Sequence, residues 1–212
     1  MDNRYVKIFA SGSKAPLKAT PGHFATNHAH INYYLDMTTL KTRLSEAQEV
    51  AKHLAERFLF DKVVDTIVCL EGTQVIGAYL AEELTRAGVL STNAHKTIYV
   101  ITPEYNSNSQ MVFRENILPM VHGKNVVILT AVVTTGLSLN KSIEAIQYYG
   151  GKLQSAADVF STLDELNGCP IRSIYSTADV TDYIYYDYRK CTLCEKGVKL
   201  DALVNAYGYT TL

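Results

Sequence analysis

The sequence has no apolar run approaching the ~18 to 20 residues of a membrane-spanning helix, and no long hydrophobic stretch follows the charges of "MDNRYVKIFASGS". With neither feature, no membrane partner is expected and the expected setting is cytoplasmic. Excess charge is also missing. Twenty basic against 21 acidic side chains leave a formal net charge of −1, so there is no electrostatic footprint for nucleic acid or an anionic membrane, while a single small phosphate ligand stays compatible. Cysteine is scarce. Cys69, Cys169, Cys191 and Cys194 are too few and too unevenly spread for a disulfide framework. The pair in "CTLC" has knuckle-like spacing, but tetrahedral zinc needs two further ligands, and no second CxxC or nearby HxxxH supplies them. The cysteines are therefore read as free thiols in a C-terminal segment, with structural zinc as the alternative and no residue assigned as a metal ligand. A redox role needs a lowered thiolate pKa, for which "YRKCTLCEKG" offers only Arg189 and Lys190.

What the chain does have is a globular composition. It is 212 residues long, 47% apolar and 19% charged, enough to bury a sizeable core. Residues 39 to 60 place Leu40, Leu44, Ala47, Val50, Ala51, Leu54 and Phe58 at helical spacing, which predicts one helix across the stretch. "VVDTIVCL" reads as a buried strand. "EGTQVIGAYLAEELTRAG" reads as a turn and a helix with Val75, Ile76, Tyr79, Leu80 and Leu84 on one stripe, ending at Gly88. "KTIYVI" and "NVVIL" are further strands. "GLSLNKSIEAIQYYGG" is a helix with Leu139, Ile143 and Ile146 inward and a Gly-Gly stop, followed by strands in "LQSAADVFS" and "IRSIYS". This alternation predicts an α/β fold with a parallel sheet flanked by helices, and ligands in such sheets lie at the carboxyl ends of the strands.

The ends differ from the middle. In residues 1 to 38, Pro16, Pro21 and Gly22 are expected to break any long element; residues 177 to 212 carry the tyrosine-dense "DYIYYDYRKC", read as an edge strand or packing face, and a predicted helix in "KLDALVNAYG". Both are read as segments packed on a core of residues 39 to 176, the whole chain 1 to 212 making a single domain.

Two loops should leave strand carboxyl ends, "LEGTQ" and "TAVVTTGLS". In the second, a glycine allows a sharp turn, and backbone amides at the start of the next helix, its dipole, and the hydroxyls of Thr134, Thr135 and Ser138 would together hold a phosphate without any lysine. The same residues also suit an ordinary capped strand-to-helix turn.

"NVVILTAVVTTGLSLNKSIEAIQYYGG" resembles the signature of type I phosphoribosyltransferases, in which a hydrophobic strand leads through two acidic residues into a TTG phosphate loop and its helix. "VDTIVCLEGTQVIGAYLAEEL" looks like that family's pyrophosphate-binding strand, loop and helix. "HINYYLDM" is similar to a segment of the orotate phosphoribosyltransferase branch, which the chain resembles most. The resemblance implies a 5′-phosphate held by Val133, Thr134, Thr135, Gly136, Leu137 and Ser138, and pyrophosphate at Glu71, Gly72 and Thr73. It further implies phosphoribosyl pyrophosphate as ligand, magnesium as cofactor, a pyrimidine base such as orotate as acceptor, an N-terminal hood, and a homodimer. His28, His30 and Tyr33 are then base-facing candidates; as alternating residues on a strand, the two histidines would share a face.

The departures from the family's pattern are local. Its acidic pair, which orients the ribose hydroxyls, is replaced here by Thr130 and Ala131. Its lysine- and histidine-bearing loop is replaced by "TPEYNSNSQMVFREN", with Glu104 and only Arg114 as charge-neutralising cation. Each loss would remove transition-state stabilisation on the order of ~3 to 4 kcal/mol. Two readings follow: an enzyme transferring phosphoribose, or a non-catalytic phosphoribosyl-binding or regulatory protein that kept the cradle.

Overall fold

The computed structural model describes residues 5–58, 61–86, 92–93 and 97–212. In chain order, strands β1 (Val6–Ile8), β2 (Leu17–Ala25) and β3 (His30–Asp36) lead into helices α1 (Thr38–Thr42) and α2 (Leu44–Ala55). Then come β4 (Thr66–Cys69), α3 (Gln74–Arg86), β5 (Tyr99–Ile101) and the short hairpin of β6 (Glu104–Tyr105) and β7 (Met111–Val112). They are followed by β8 (Asn125–Val133), α4 (Leu137–Tyr148), β9 (Lys152–Ser161), β10 (Glu165–Leu166) and β11 (Cys169–Ser176). The chain closes with β12 (Tyr185–Tyr186), α5 (Thr192–Glu195), β13 (Ala202–Asn205) and β14 (Gly208–Thr211).

Unbroken apolar runs such as "TIVC" in β4 are buried along their whole length, as suits parallel strands covered on both faces. They build a six-stranded sheet of order β10-β11-β9-β8-β4-β5, parallel except where β10 meets β11. Helix α4 covers one face, packing Leu139, Ile143 and Ile146 with Val126, Ile128 and Ala156. The other face carries α2 and α3 through Leu54, Ile76, Leu80 and Leu84, with Ile67, Leu129 and Ala157 beneath. Each such aliphatic side chain contributes about 1.5 to 3 kcal/mol on burial. Gly77 sits where α3 approaches β4 most closely; a Cβ there would stand 2.3 Å from the Cys69 sulfur. Of the stripe predicted for α3, Val75 turns outward at 38% exposure. The predicted end at Gly88, like Leu59 and Phe60 of the first helix, lies outside the described residues.

The first helix is two helices. Arg43 is extended, its amide closing α1 on the Thr39 carbonyl while its own carbonyl accepts the amides of Glu46 and Ala47 to open α2. The break rotates the two stripes apart, so Leu40 is fully buried and Leu44 is 60% exposed.

The ends form a second sheet, β12-β3-β2-β13-β14, with β1 also on β2. Here the structure corrects two expectations. Pro21 and Gly22 do not break the N-terminal segment, because a bulge absorbs them: Pro21 opposes Tyr33 and Phe24 opposes Ile31, so two residues face one. Pro21 also lies between the stretches of β2 that pair with β1 and with β13, so on that side of the strand its missing N–H costs no ladder bond. "KLDALVNAYG" is a hairpin instead of a helix. Ala202, Leu203 and Val204 alternate between buried, exposed and half-buried, and β13 gains backbone partners from β2 on one side and β14 on the other. Tertiary pairing overrides local helical propensity there. Tyr185 and Tyr186 form an edge strand on β3, as read from the sequence.

Candidate functional site

β4 and β8 lie side by side with Cys69 opposite Leu129, so the loops after them open at the same edge of the sheet. Between that edge and the N- and C-terminal sheet lies a cavity of about 240 Å³. Its floor is the chain from Thr130 to Leu139; its other walls come from Leu70 and Glu71, from Thr26 to His28 at the tip of the β2–β3 hairpin, and from the β13–β14 turn.

β8 is longer than expected. Thr130 and Ala131 are strand residues, 3% and 2% exposed, and the turn proper begins at Thr134. Gly136 adopts φ +73°, and a Cβ there would press within 3.1 Å of Leu163 and Leu166. Both its conformation and its surroundings favour glycine. It precedes α4, whose first backbone bond runs from the Asn140 amide to the Gly136 carbonyl, so the earlier amides have no partner within the helix, and that of Leu137 donates to the Thr135 hydroxyl at 3.4 Å. No acidic residue occupies the first turn of α4. Ser138 Oγ lies 3.2 Å from His28 Nε2, and Thr134 Oγ1 lies 3.3 Å from the Tyr183 hydroxyl. Burial pushes the Tyr183 phenol up to about 12, so it stays a neutral hydrogen-bonding group. All six residues from Val133 to Ser138 line the cavity.

The opposite wall is built otherwise. Glu71 and Gly72 both take positive φ, 56° and 79°, and for the glutamate this is a strained conformation costing of order 1 kcal/mol or more. The turn aims the Glu71 carboxyl at the end of β8, where the Ala131 amide donates to Oε2 at 3.3 Å. Burial raises the Glu71 pKa, against the opposing pull of the Ala131 and Val132 amides and of Lys41. Gly72 and Thr73, expected beside it, do not line the cavity. Thr73 is fully buried, its hydroxyl engaged by the Leu70 and Leu129 carbonyls.

Lys41 was not anticipated. Its ammonium group donates to the Glu71 carbonyl at 2.8 Å and to the Ala206 carbonyl at 2.6 Å, tying the glutamate loop to the C-terminal hairpin at the cavity wall. Burial lowers its pKa, while Glu71 and Asp36 hold it up. The sequence clue was slight: a lysine next to Leu40 at the buried side of a helical stretch. Arg114, the cation expected to serve the ligand, is bound instead to Glu104 through Nε at 2.9 Å and the guanidinium tip at 2.6 Å, and neither residue lines the cavity.

The base-facing candidates separate. His28 lines the cavity, but His30 and Tyr33 do not. His28 belongs to the hairpin turn and not to β3, so it does not share a face with His30; His30 points toward His23 and Cys194. Below the floor, Asp158 faces Thr130 across the β8–β9 ladder. Its carboxyl is fully buried, and that burial holds its pKa well above the carboxylate range against the pull of the Thr130 hydroxyl.

No family model matches the chain. Over 180 residues it is 26% identical to an orotate phosphoribosyltransferase of Desulforamulus reducens, covering 84% of this chain and 85% of that one. The chain has the type I phosphoribosyltransferase fold and is a distant homologue of the orotate phosphoribosyltransferases. Among solved structures it is similar to an adenine phosphoribosyltransferase of Trypanosoma brucei in complex with AMP, pyrophosphate and ribose 5-phosphate, with TM-score 0.55, 12% identity and 78% of each chain covered. It is similar too to the Mycobacterium tuberculosis orotate phosphoribosyltransferase in complex with phosphoribosyl pyrophosphate, with TM-score 0.52, 17% identity, and 69% of this chain and 82% of that one covered. Among the described residues, no helix is long and apolar enough to cross a membrane.

Proposed function

We propose that the cavity binds a phosphoribosyl ligand, phosphoribosyl pyrophosphate or a ribose 5-phosphate moiety, and transfers phosphoribose to a pyrimidine base such as orotate. The observation that carries this reading is the left-handed Gly136 at the mouth of α4. It starts a helix whose first amides have no partner within the helix, on the lining of a cavity whose far wall, just past the end of the neighbouring strand, carries the Glu71 carboxylate. The 5′-phosphate sits on residues 133 to 138, where amides and dipole favour a dianion. Glu71 takes over the ribose-facing duty that Thr130 and Ala131 have lost, since its carboxyl reaches the backbone of Ala131 from the neighbouring strand. Lys41 is the cation nearest that loop and faces the pyrophosphate end. His28, hydrogen-bonded to Ser138, closes the hood over the ligand.

Magnesium fits the residues present as an ion held mainly by its ligand. Glu71 supplies one carboxylate, and magnesium commonly takes one or two carboxylates together with substrate phosphate oxygens. When bound, it would offset the charge of the leaving pyrophosphate. By the same resemblance the protein is expected to act as a homodimer, which light scattering would check.

The second reading is a non-catalytic phosphoribosyl-binding or regulatory protein. It is favoured by Arg114, which is committed to Glu104 outside the cavity, and by the absence of acidic side chains at 130 and 131. Incubation with magnesium, phosphoribosyl pyrophosphate and a panel of bases separates the two. Pyrophosphate release with a pyrimidine supports the enzyme; binding without turnover for every base establishes the second reading.

A further inference from the structure

Four side chains from the two ends of the chain meet beneath the hood. His23 Nε2 and His30 Nδ1 are 3.1 Å apart; Cys191 Sγ lies 3.4 Å from His23 Nε2, and Cys194 Sγ lies 3.3 Å from His30 Nδ1 and 3.7 Å from His23 Nε2. All four ligand atoms fall within 4.8 Å of one another. With zinc–nitrogen bonds of about 2.0 to 2.1 Å and zinc–sulfur bonds of about 2.3 Å, a tetrahedron has edges of about 3.3 Å between nitrogens, about 3.6 Å between nitrogen and sulfur and about 3.8 Å between sulfurs. The four spacings given above match the nitrogen–nitrogen and nitrogen–sulfur edges to within a few tenths of an ångström, and the remaining two, from Cys191 Sγ to Cys194 Sγ and to His30 Nδ1, are at most 4.8 Å.

The surroundings are those of a built site. His23 is 1% exposed, and its Nδ1 lies 2.9 Å from the Val198 carbonyl. That bond places the proton on Nδ1 and leaves the Nε2 lone pair directed at the cysteines, the outer-shell arrangement that orients metal-binding histidines. The β2 bulge has the same effect on the backbone. His23 is one of the two residues that face Asn32 in the bulge, and its amide and carbonyl pair with the Asp201 carboxylate and amide. Cys191 caps the single turn of α5 and Cys194 lies within it, three positions on, so a two-residue spacing brings both sulfurs to one side. Neither is in a disulfide. The two ligands that the sequence around "CTLC" lacks are thus supplied from more than 160 positions away.

We infer that His23, His30, Cys191 and Cys194 form a closed structural zinc site joining the C-terminal segment to the β2–β3 hairpin. The site stands at the root of two cavity walls. His30 begins the strand that follows His28, and Asp201 precedes the strand that leads to the β13–β14 turn. Zinc here sets the hood's position whether or not the cavity supports turnover.

The test uses the full-length chain, purified reduced from zinc-supplemented medium. Elemental mass spectrometry should find about one zinc per chain, and an organomercurial should release it as two thiols react. After removal of zinc with a chelator, added cobalt should give thiolate-to-metal charge-transfer absorption and intense tetrahedral bands. Cys194→Ser, at an exposed position, should weaken the charge-transfer band, and His30→Ala should shift the tetrahedral bands. A chain without zinc whose cobalt spectrum lacks thiolate bands would overturn the site. So would wild-type protein isolated with a Cys191–Cys194 disulfide that, once reduced, takes up no metal, or metal uptake unchanged in both variants.

Discussion

The loops after β4 and β8 open onto one cavity with opposite chemistry. The β8 loop offers backbone donors and hydroxyls around a glycine that no other residue replaces comfortably; the β4 loop offers a strained glutamate whose carboxyl is largely buried. An anion is welcome at the first and repelled by the second unless a cation intervenes or the glutamate is protonated. On the proposed function the difference separates grip from chemistry: the phosphate end would rest on backbone geometry and tolerate drift in side chains, whereas the ribose and pyrophosphate end would rest on charged side chains.

The largest expected effect falls on the gripping loop. Gly136→Val places a β-branched residue at φ +73° against Leu163 and Leu166. Strain of about 1 to 3 kcal/mol plus displacement of the amides should weaken ribose 5-phosphate binding at least about 100-fold by calorimetry, equal to about 2.7 kcal/mol. Retained affinity would break the comparison at its stronger side. Glu71→Gln should sharpen the other side: affinity for ribose 5-phosphate unchanged, and the magnesium-dependent gain in affinity for phosphoribosyl pyrophosphate reduced about tenfold, or about 1.4 kcal/mol. Equal losses for both ligands would show that the walls do not act separately.

Asp158 gives a smaller effect, on stability. Its folded pKa is raised, so the native state holds a proton that the unfolded chain releases above the usual carboxylate range. Stability therefore falls as pH rises from the unfolded value toward the folded one. Asp158→Asn should remove that slope, with a thermal midpoint that exceeds wild type increasingly as pH is raised; the difference grows by about 1.4 kcal/mol per pH unit across that interval. Parallel pH profiles for the two proteins would refute it. Ser138→Ala should cost least, about 0.5 to 1.5 kcal/mol of ribose 5-phosphate affinity, the range of one neutral hydrogen bond.

The core sheet was legible because β4 and β8 are apolar runs whose pattern survives any context, and because Gly136 and Gly150 punctuate α4 where the backbone needs them. The hood was not. Its strands carry Pro21 and Gly22, which local rules read as breaks, and the bulge that absorbs them is held by Asp201, which pairs with His23 from 178 positions away. "KLDALVNAYG" fits either period, and the edge of β2 decides it. In the site, residues 133 to 138 were readable as a contiguous motif. Lys41 was not, since its role depends on two carbonyls, one of them near the very end of the chain. His30 went astray because the hairpin turn at His28 ends the alternation that would have aligned the two histidines, and Tyr33, opposite Pro21 on β2, does not line the cavity either.

The central claim is that the cavity recognises a phosphorylated ribose through the β8 loop. Calorimetric titration of the wild-type chain with ribose 5-phosphate and with ribose tests it most directly. Saturable binding of ribose 5-phosphate, displaced by phosphoribosyl pyrophosphate, with no binding of ribose, is the predicted result; equal affinity for the two sugars, or binding of neither ribose 5-phosphate nor phosphoribosyl pyrophosphate, would contradict it.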